Sequence, residues 1–174
     1  MRTRRPLRPL RPLRPLLFLL ALLAGCATGY APDALRVGDS VDLALQKMGA
    51  PTAEHARSDG GRRLEYARGP LGRHTYMLDF DAQGRLLGSE QVLDEAHFST
   101  ISAGLTEKEL RYRIGRPGRI WAVRYHEQTV YSYRYENYMC QVFQVGLTPQ
   151  GVVEDTGYGP DPACERRERG SMLF

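Results

Sequence analysis

The sequence predicts an α+β protein made of two tandem units, each a helix pair packed on a short antiparallel sheet. The first of three supporting observations is an internal repeat. Residues 36–51 read RVGDSVDLALQKMGAP and residues 102–117 read SAGLTEKELRYRIGRP, so Gly38, Gly49 and Pro51 meet Gly104, Gly115 and Pro117 at an offset of 66. Further on the offset is 67, and Tyr76, Leu78, Phe80 and Gly84 meet Phe143, Val145, Leu147 and Gly151. In the second observation, a hydroxyl residue opens a run of helical apolar spacing that Gly-x-Pro closes. The third is that β-rich runs follow each Pro, separated by turn residues and not by helices, as in antiparallel hairpins.

The chain opens on MRTRRPLRPLRPLRP, with six Arg and no acid, followed by an unbroken apolar run from Leu16 to Ala24. A membrane-spanning helix needs about 20 apolar residues, roughly twice this run. A basic start, a short apolar stretch and small residues at its end have the form of a secretory leader. Leu23-Ala24-Gly25-Cys26 resembles the bacterial lipobox. The expectation is cleavage between Gly25 and Cys26, with lipid on the Cys26 thiol. The alternative is a plain secreted protein with a chance Cys. Residues 1–25 are thus read as a leader and 26–36 as the lipidated terminus and linker. The first unit spans 37–92, the second 93–160, and the tail 161–174.

Cleavage changes the charge argument. The whole chain carries 24 basic and 20 acidic side chains, a net charge of +4. Without residues 1–25, 18 basic and 20 acidic remain, and the balance becomes −2. The basic character belongs largely to the leader, so no nucleic-acid partner is expected. Export places Cys140 and Cys164 in an oxidising space. As two remaining cysteines they allow one connectivity, a bridge, against two unpaired thiols.

In each unit, Ser40 or Thr106 sits where a hydroxyl caps a helix, and Thr106-Glu107-Lys108-Glu109 has capping-box spacing. Val41, Leu45 and Met48, or Leu110 and Ile114, form the apolar stripe. Gly49 and Gly115 fit the residue just past a helix end, with Pro blocking continuation. A short helix is expected over 94–101, and a weaker counterpart over 31–36. Strands are expected over 52–57, 62–67, 73–80 and 85–92, then over 118–126, 129–135, 138–147 and 152–156. Alternation puts Tyr76, Leu78 and Phe80 on one face, and likewise Phe143, Val145 and Leu147, both toward the helices. The tail ERRERGSMLF is charged, then apolar, and is expected to be disordered beyond Cys164.

A lipobox, a hydroxyl-capped helix, a Gly-x-Pro stop, an aromatic-x-Tyr strand and a turn ending in Gly resemble, in that order, the BamE (SmpA/OmlA) family of small outer-membrane lipoproteins. The resemblance covers about 37–92 and 94–157 and implies a helix pair on an antiparallel sheet, twice. The family's best-known member carries one such unit; here there are two, and Leu64 stands where an aromatic is usual. Tandem units of this kind also resemble the β-lactamase inhibitor protein architecture. The resemblance implies fold and location more than a share in barrel assembly.

Little in the sequence points to catalysis. His55, His74, His97 and His126 are scattered, with no metal-ligand spacing. Asp81 suits a turn, and Asp79 is expected on the solvent face of its strand. No nucleophile motif occurs, and no enzyme activity, metal or cofactor is expected. The binding candidates are aromatic: Trp121, Tyr131, Tyr133, Tyr135 and Tyr138, interleaved with Arg124 and Arg134. They are either core packed on the helices or a contact surface of the kind rich in Tyr, Trp and Arg. Ala27 follows Cys26, and an Asp there is the usual inner-membrane retention signal. The expectation is a lipid-anchored protein on the periplasmic face of the outer membrane, acting as a scaffold or binding module for a protein partner. The alternative is an inhibitor-like module that docks its sheet on a periplasmic enzyme.

Overall fold

The computed structural model describes residues 31–67, 69 and 72–164. Gly25, Cys26 and the leader lie outside the described residues, as does the tail beyond Cys164.

Helix α1 (Val41–Met48) starts where the Ser40 hydroxyl accepts the Leu43 N–H at 3.2 Å. It stops at Gly49, whose φ of 75° suits a residue without Cβ. Strands β1 (Ala53–Ala56), β2 (Arg62–Tyr66), β3 (Tyr76–Phe80) and β4 (Leu86–Gln91) follow as an antiparallel sheet in sequence order. Two helices come next, α2 (Glu95–Phe98) and α3 (Glu107–Ile114). A second antiparallel sheet closes the chain: β5 (Arg119–Val123), β6 (Gln128–Arg134), β7 (Gln141–Leu147) and β8 (Val153–Pro160). The molecule is α+β, with two tandem units and two separate sheets. No described helix is long and apolar enough to cross a membrane.

The repeat is repeated in the hydrogen bonds. Val41 N–H bonds the Gly84 carbonyl, and Glu107 N–H bonds that of Gly151. Gly38 donates to Leu86, and Gly104 to Val153. Tyr66 donates its hydroxyl to the Gly49 carbonyl at 3.1 Å, and Tyr133 to that of Gly115 at 3.2 Å. In each unit a strand Tyr thus ties the sheet to the last turn of the helix, satisfying a carbonyl that the helix leaves orphaned. Both sheets also slip register at one place, between Asp79 and Phe80 and between Gly146 and Leu147.

Several expected boundaries shift. Residues 31–36 form turns and not a helix. The strand expected over 118–126 ends at Val123, because Arg124–His126 close into a 3₁₀ turn with Glu127 left-handed at φ 48°. The strand expected from 138 begins at Gln141, since Asn137 bonds across the turn and holds it out of the ladder. The last strand runs on to Pro160, paired along β7.

Helices α1–α3 pack on both faces of the first sheet and on one face of the second. Ala44 and Met48 of α1 pack on Leu64, Tyr66, Leu78 and Phe80. Phe98 of α2 and Leu110 and Ile114 of α3 pack on Tyr131, Tyr133, Tyr135, Phe143 and Val145. The other face of the first sheet meets α3. There Arg63 clamps both Asp79 oxygens at 2.7 Å, donates to the Tyr112 carbonyl at 3.1 Å and lies 4.7 Å above the Tyr112 ring. Glu65, 1% exposed, accepts the Arg116 N–H at 3.0 Å and sits 3.2 Å from the His55 imidazole. Asp79 therefore faces the joint between the units and not solvent. Burial alone would raise its pKa, but Arg63 and Arg57 outweigh that and hold it below the ordinary aspartate value.

The linker helix carries a pH-sensitive contact. Asp94 caps α2, accepting the His97 N–H at 2.9 Å and lying 2.8 Å from the ring Nδ1, while Nε2 is 3.4 Å from Glu90. Burial lowers the His97 pKa, but these carboxylates more than reverse it and raise it above the ordinary histidine value. A group raised in the folded state adds stability below its unfolded pKa and loses it as pH rises through the folded one. The expected result is that wild type loses its melting-temperature advantage over His97→Gln between pH 6 and pH 8, roughly the window above a normal histidine pKa.

Candidate functional site

The fourth broad face, the outer face of the second sheet, is crossed at one end by residues 161–164, of which 162–164 are helical, and none of α1–α3 packs on it. Register defines its members, since directly paired residues share a face. Arg119, Trp121 and Val123 on β5 pair with Ser132, Val130 and Gln128 on β6. Arg134 and Ser132 pair with Val142 and Gln144 on β7, and Gln144 and Gly146 with Gly157 and Asp155 on β8. Val130 and Val142 are buried at the foot of the face, Trp121, Gln128 and Gln144 are half-exposed, and Arg119, Asp155 and Gly157 are open. The Arg119 guanidinium lies 5.3 Å from the Trp121 ring centre. Gly146 and Gly159 leave room for the Gln128 and Gln144 side chains, which lie over them. At the far side, Gln128 donates to Glu154 at 3.2 Å and to Asp155 at 2.9 Å.

The chain folds back over one end of this face. Asp161 accepts from Arg134 at 2.8 Å and from the Ala163 N–H at 2.9 Å. Burial pushes the Asp161 carboxyl up, yet these donors outweigh it and set its pKa below the ordinary value. A cavity of about 270 Å³ opens here, lined by Arg119, Ser132, Arg134, Val142, Asp161 and Pro162 among others. Cys140 and Cys164 are bridged, with Cα atoms 6.2 Å apart and a sequence separation of 24. Cys140 stands in the turn before β7 at φ 50°, not on a strand face. Closing such a loop stabilises by about 3 kcal/mol in the chain-entropy estimate. Cys140→Ser/Cys164→Ser is expected to lower stability by about that amount in chemical unfolding, with backbone exchange rising first in residues 161–164.

The aromatic cluster divides in three. Tyr131, Tyr133 and Tyr135 are 6%, 1% and 4% exposed and belong to the core, so of the two readings open for them core packing holds and the contact-surface reading is corrected. Pairing explains it: Tyr131 stands opposite Ile120 and Tyr133 opposite Phe143, on the helix side. Their hydroxyls are used internally. Tyr131 donates to Glu107 at 2.6 Å and accepts from Arg111 at 3.2 Å. Burial drives the Tyr133 pKa well up. Trp121, one residue out of phase, falls on the outer face, and Arg134 shares that face. Arg124 is exposed in the 3₁₀ turn at one end of β6.

Tyr138 occupies the tip at the other end of β6, and Met139 stands beside it. Tyr138 is fully exposed and Met139 is 74% exposed. The Asn137 side chain fastens the turn, donating to the Tyr135 and Gln141 carbonyls at 3.1 and 2.9 Å and accepting the Gln141 N–H at 3.0 Å. Sequence reasoning missed Met139, Arg119 and Asp161. Only Arg119 had a readable signal, in the alternation of Arg119, Trp121 and Val123.

No cluster of three or more His, Cys, Asp or Glu among the described residues is arranged to hold a metal. His55, His74 and His97 lie half-buried near the contact between the units and the linker helix, and His126 is exposed.

No protein-family model matches the chain, and no curated protein does either. Solved structures match at low likeness. A DUF4309 family protein (YjgB) from Bacillus subtilis aligns at 11% identity over 76% of this chain and 85% of its own, with a TM-score of 0.28. An extracellular protein containing a SCP domain from Bacillus anthracis aligns at 8% identity and a TM-score of 0.30, over 83% of this chain and 49% of its own. A candidate beta-lactamase inhibitor protein from Streptococcus mutans aligns at 12% identity and a TM-score of 0.32, over 83% of this chain and 96% of its own.

Proposed function

We propose that this chain is a non-enzymatic binding module that docks a protein partner on the outer face of its second sheet. It is anchored by lipid at Cys26 on the periplasmic side of the outer membrane. One observation carries the docking part: beyond the end crossed by residues 161–164, the outer face of the second sheet leaves Trp121 half-exposed and Arg119 open, side by side. Aromatic and Arg side chains together are the composition of interface hot spots. The anchoring part rests on the leader and on Leu23-Ala24-Gly25-Cys26, and the BamE resemblance supports the location. On this reading residues 1–25 are removed, and residues 26–36 tether the two units close to the membrane. Acyl chains at about 0.8 kcal/mol per buried CH₂ would hold it there.

The test is a mild-detergent pull-down from membranes with the Cys26-lipidated chain and with Cys26→Ala. The expected result is an outer-membrane protein enriched by the lipidated form and lost or reduced with Cys26→Ala. If neither form enriches any envelope protein, the reading fails. Enrichment of a soluble periplasmic hydrolase by both would favour the inhibitor-like alternative, which uses the same face.

A further inference from the structure

We propose that the turn between β6 and β7 is an insertion tip, placing Tyr138 and Met139 into an apolar pocket of the protein partner. This rests on the reading of the chain as a protein-binding module and names how the partner is engaged. A single exposed Tyr needs no explanation. Here, however, two large side chains stand together on a turn that the fold holds rigid. Asn137 makes three hydrogen bonds across it. Cys140 takes a left-handed φ of 50°, uncommon for a residue with a side chain, and is bridged to Cys164. The Cys140 carbonyl also accepts the Asp161 N–H at 2.7 Å. Such bracing lowers the entropy lost when the tip is immobilised in a partner.

The surroundings define the pocket. Met139 borders a hollow of about 320 Å³ whose lining joins Tyr158, Pro160 and the Cys140–Cys164 bridge to the polar side chains of Gln141 and Asp161. The nearby charges are already engaged: Glu136 faces Arg73 and His74 at 3.6 and 3.8 Å, and Asp161 pairs with Arg134 at 2.8 Å. A neutral, convex, rigid knob fits an apolar cleft in a protein. Residues 135–141 themselves hold no Lys or Arg, whereas an amphipathic segment drawn to anionic lipid carries basic residues among its apolar ones.

The experiment places the photo-crosslinker benzoylphenylalanine at position 139, and in a separate chain at position 87, in the full lipidated protein in membranes. The species crosslinked at 139 is then purified and its affinity measured for wild type, for Tyr138→Ala/Met139→Ala and for Trp121→Asp. The expected result is one protein crosslinked from 139 and not from 87, bound about 10-fold or more weakly by the double variant, with little salt dependence. Unchanged affinity in the double variant alongside a loss in Trp121→Asp would overturn the tip and leave the module reading standing. A crosslink to lipid alone, with Cys26→Ala chains floating on phosphatidylethanolamine–phosphatidylglycerol vesicles through Tyr138 and Met139, would overturn it in favour of a membrane contact. No crosslinked protein and no binding by any form would sink both.

Discussion

Arg63→Ala is expected to destabilise the protein by about 2–3 kcal/mol, less than for a fully buried ion pair because the pair is partly exposed and Asp79 keeps Arg57. The side chain is 11% exposed and touches Asp79, Glu90 and the Tyr112 carbonyl and ring. Removing it leaves Asp79 with Arg57 alone, takes a donor from a carbonyl of α3, and uncovers the Tyr112 ring. Since Tyr112 belongs to the second unit, the loss should reach both. Urea unfolding followed by Trp121 fluorescence, a probe in the second unit, should shift together with circular dichroism of the whole chain. If only part of the dichroism signal shifts and Trp121 does not, the units are energetically independent. Arg63→Met/Asp79→Leu should recover much of the loss, because a packed apolar pair can replace a buried ionic one.

Phe98→Ala should cost about 3–5 kcal/mol, as for a buried aromatic. Phe98 is 2% exposed, stacks on Phe143 with ring centres 4.3 Å apart, and meets the edge of Tyr135 at 5.1 Å. It is the main apolar anchor of α2, a four-residue helix too short to persist without tertiary contacts. The second expected effect is therefore local: amide exchange across 94–101 should approach that of an unstructured segment. A loss below about 1 kcal/mol would mean that the linker is not held by this contact.

The repeating core was legible in the sequence because it is written in local signals. Ser40 and Thr106, Gly49 and Gly115, and the alternation through Leu78 and Phe143 each act within a few residues. The joint between the units was not legible. Arg63 and Asp79 alternate as solvent-facing residues do, and nothing local reveals that α3 covers that face. The same limit applies to the site. Composition gathers Trp121 with the tyrosines, whereas pairing sends Trp121 one way and Tyr131 and Tyr133 the other. A one-residue difference in phase, fixed by the β5–β6 register, separates a surface residue from core. The tip at Tyr138 looked like a two-residue turn, because Asn137 signals a turn without fixing its length, and the bridge to Cys164 comes from far along the chain.

The docking claim is tested most directly by partner capture from membranes with three lipidated chains: wild type, Trp121→Asp on the outer face of the second sheet, and Leu87→Asp on the first sheet. Leu87 is 47% exposed, so a charge there should be tolerated by the fold. Dichroism and melting temperature would establish that all three chains are folded. The account predicts that the protein enriched by wild type is lost with Trp121→Asp and retained with Leu87→Asp. Equal enrichment by all three chains would contradict it.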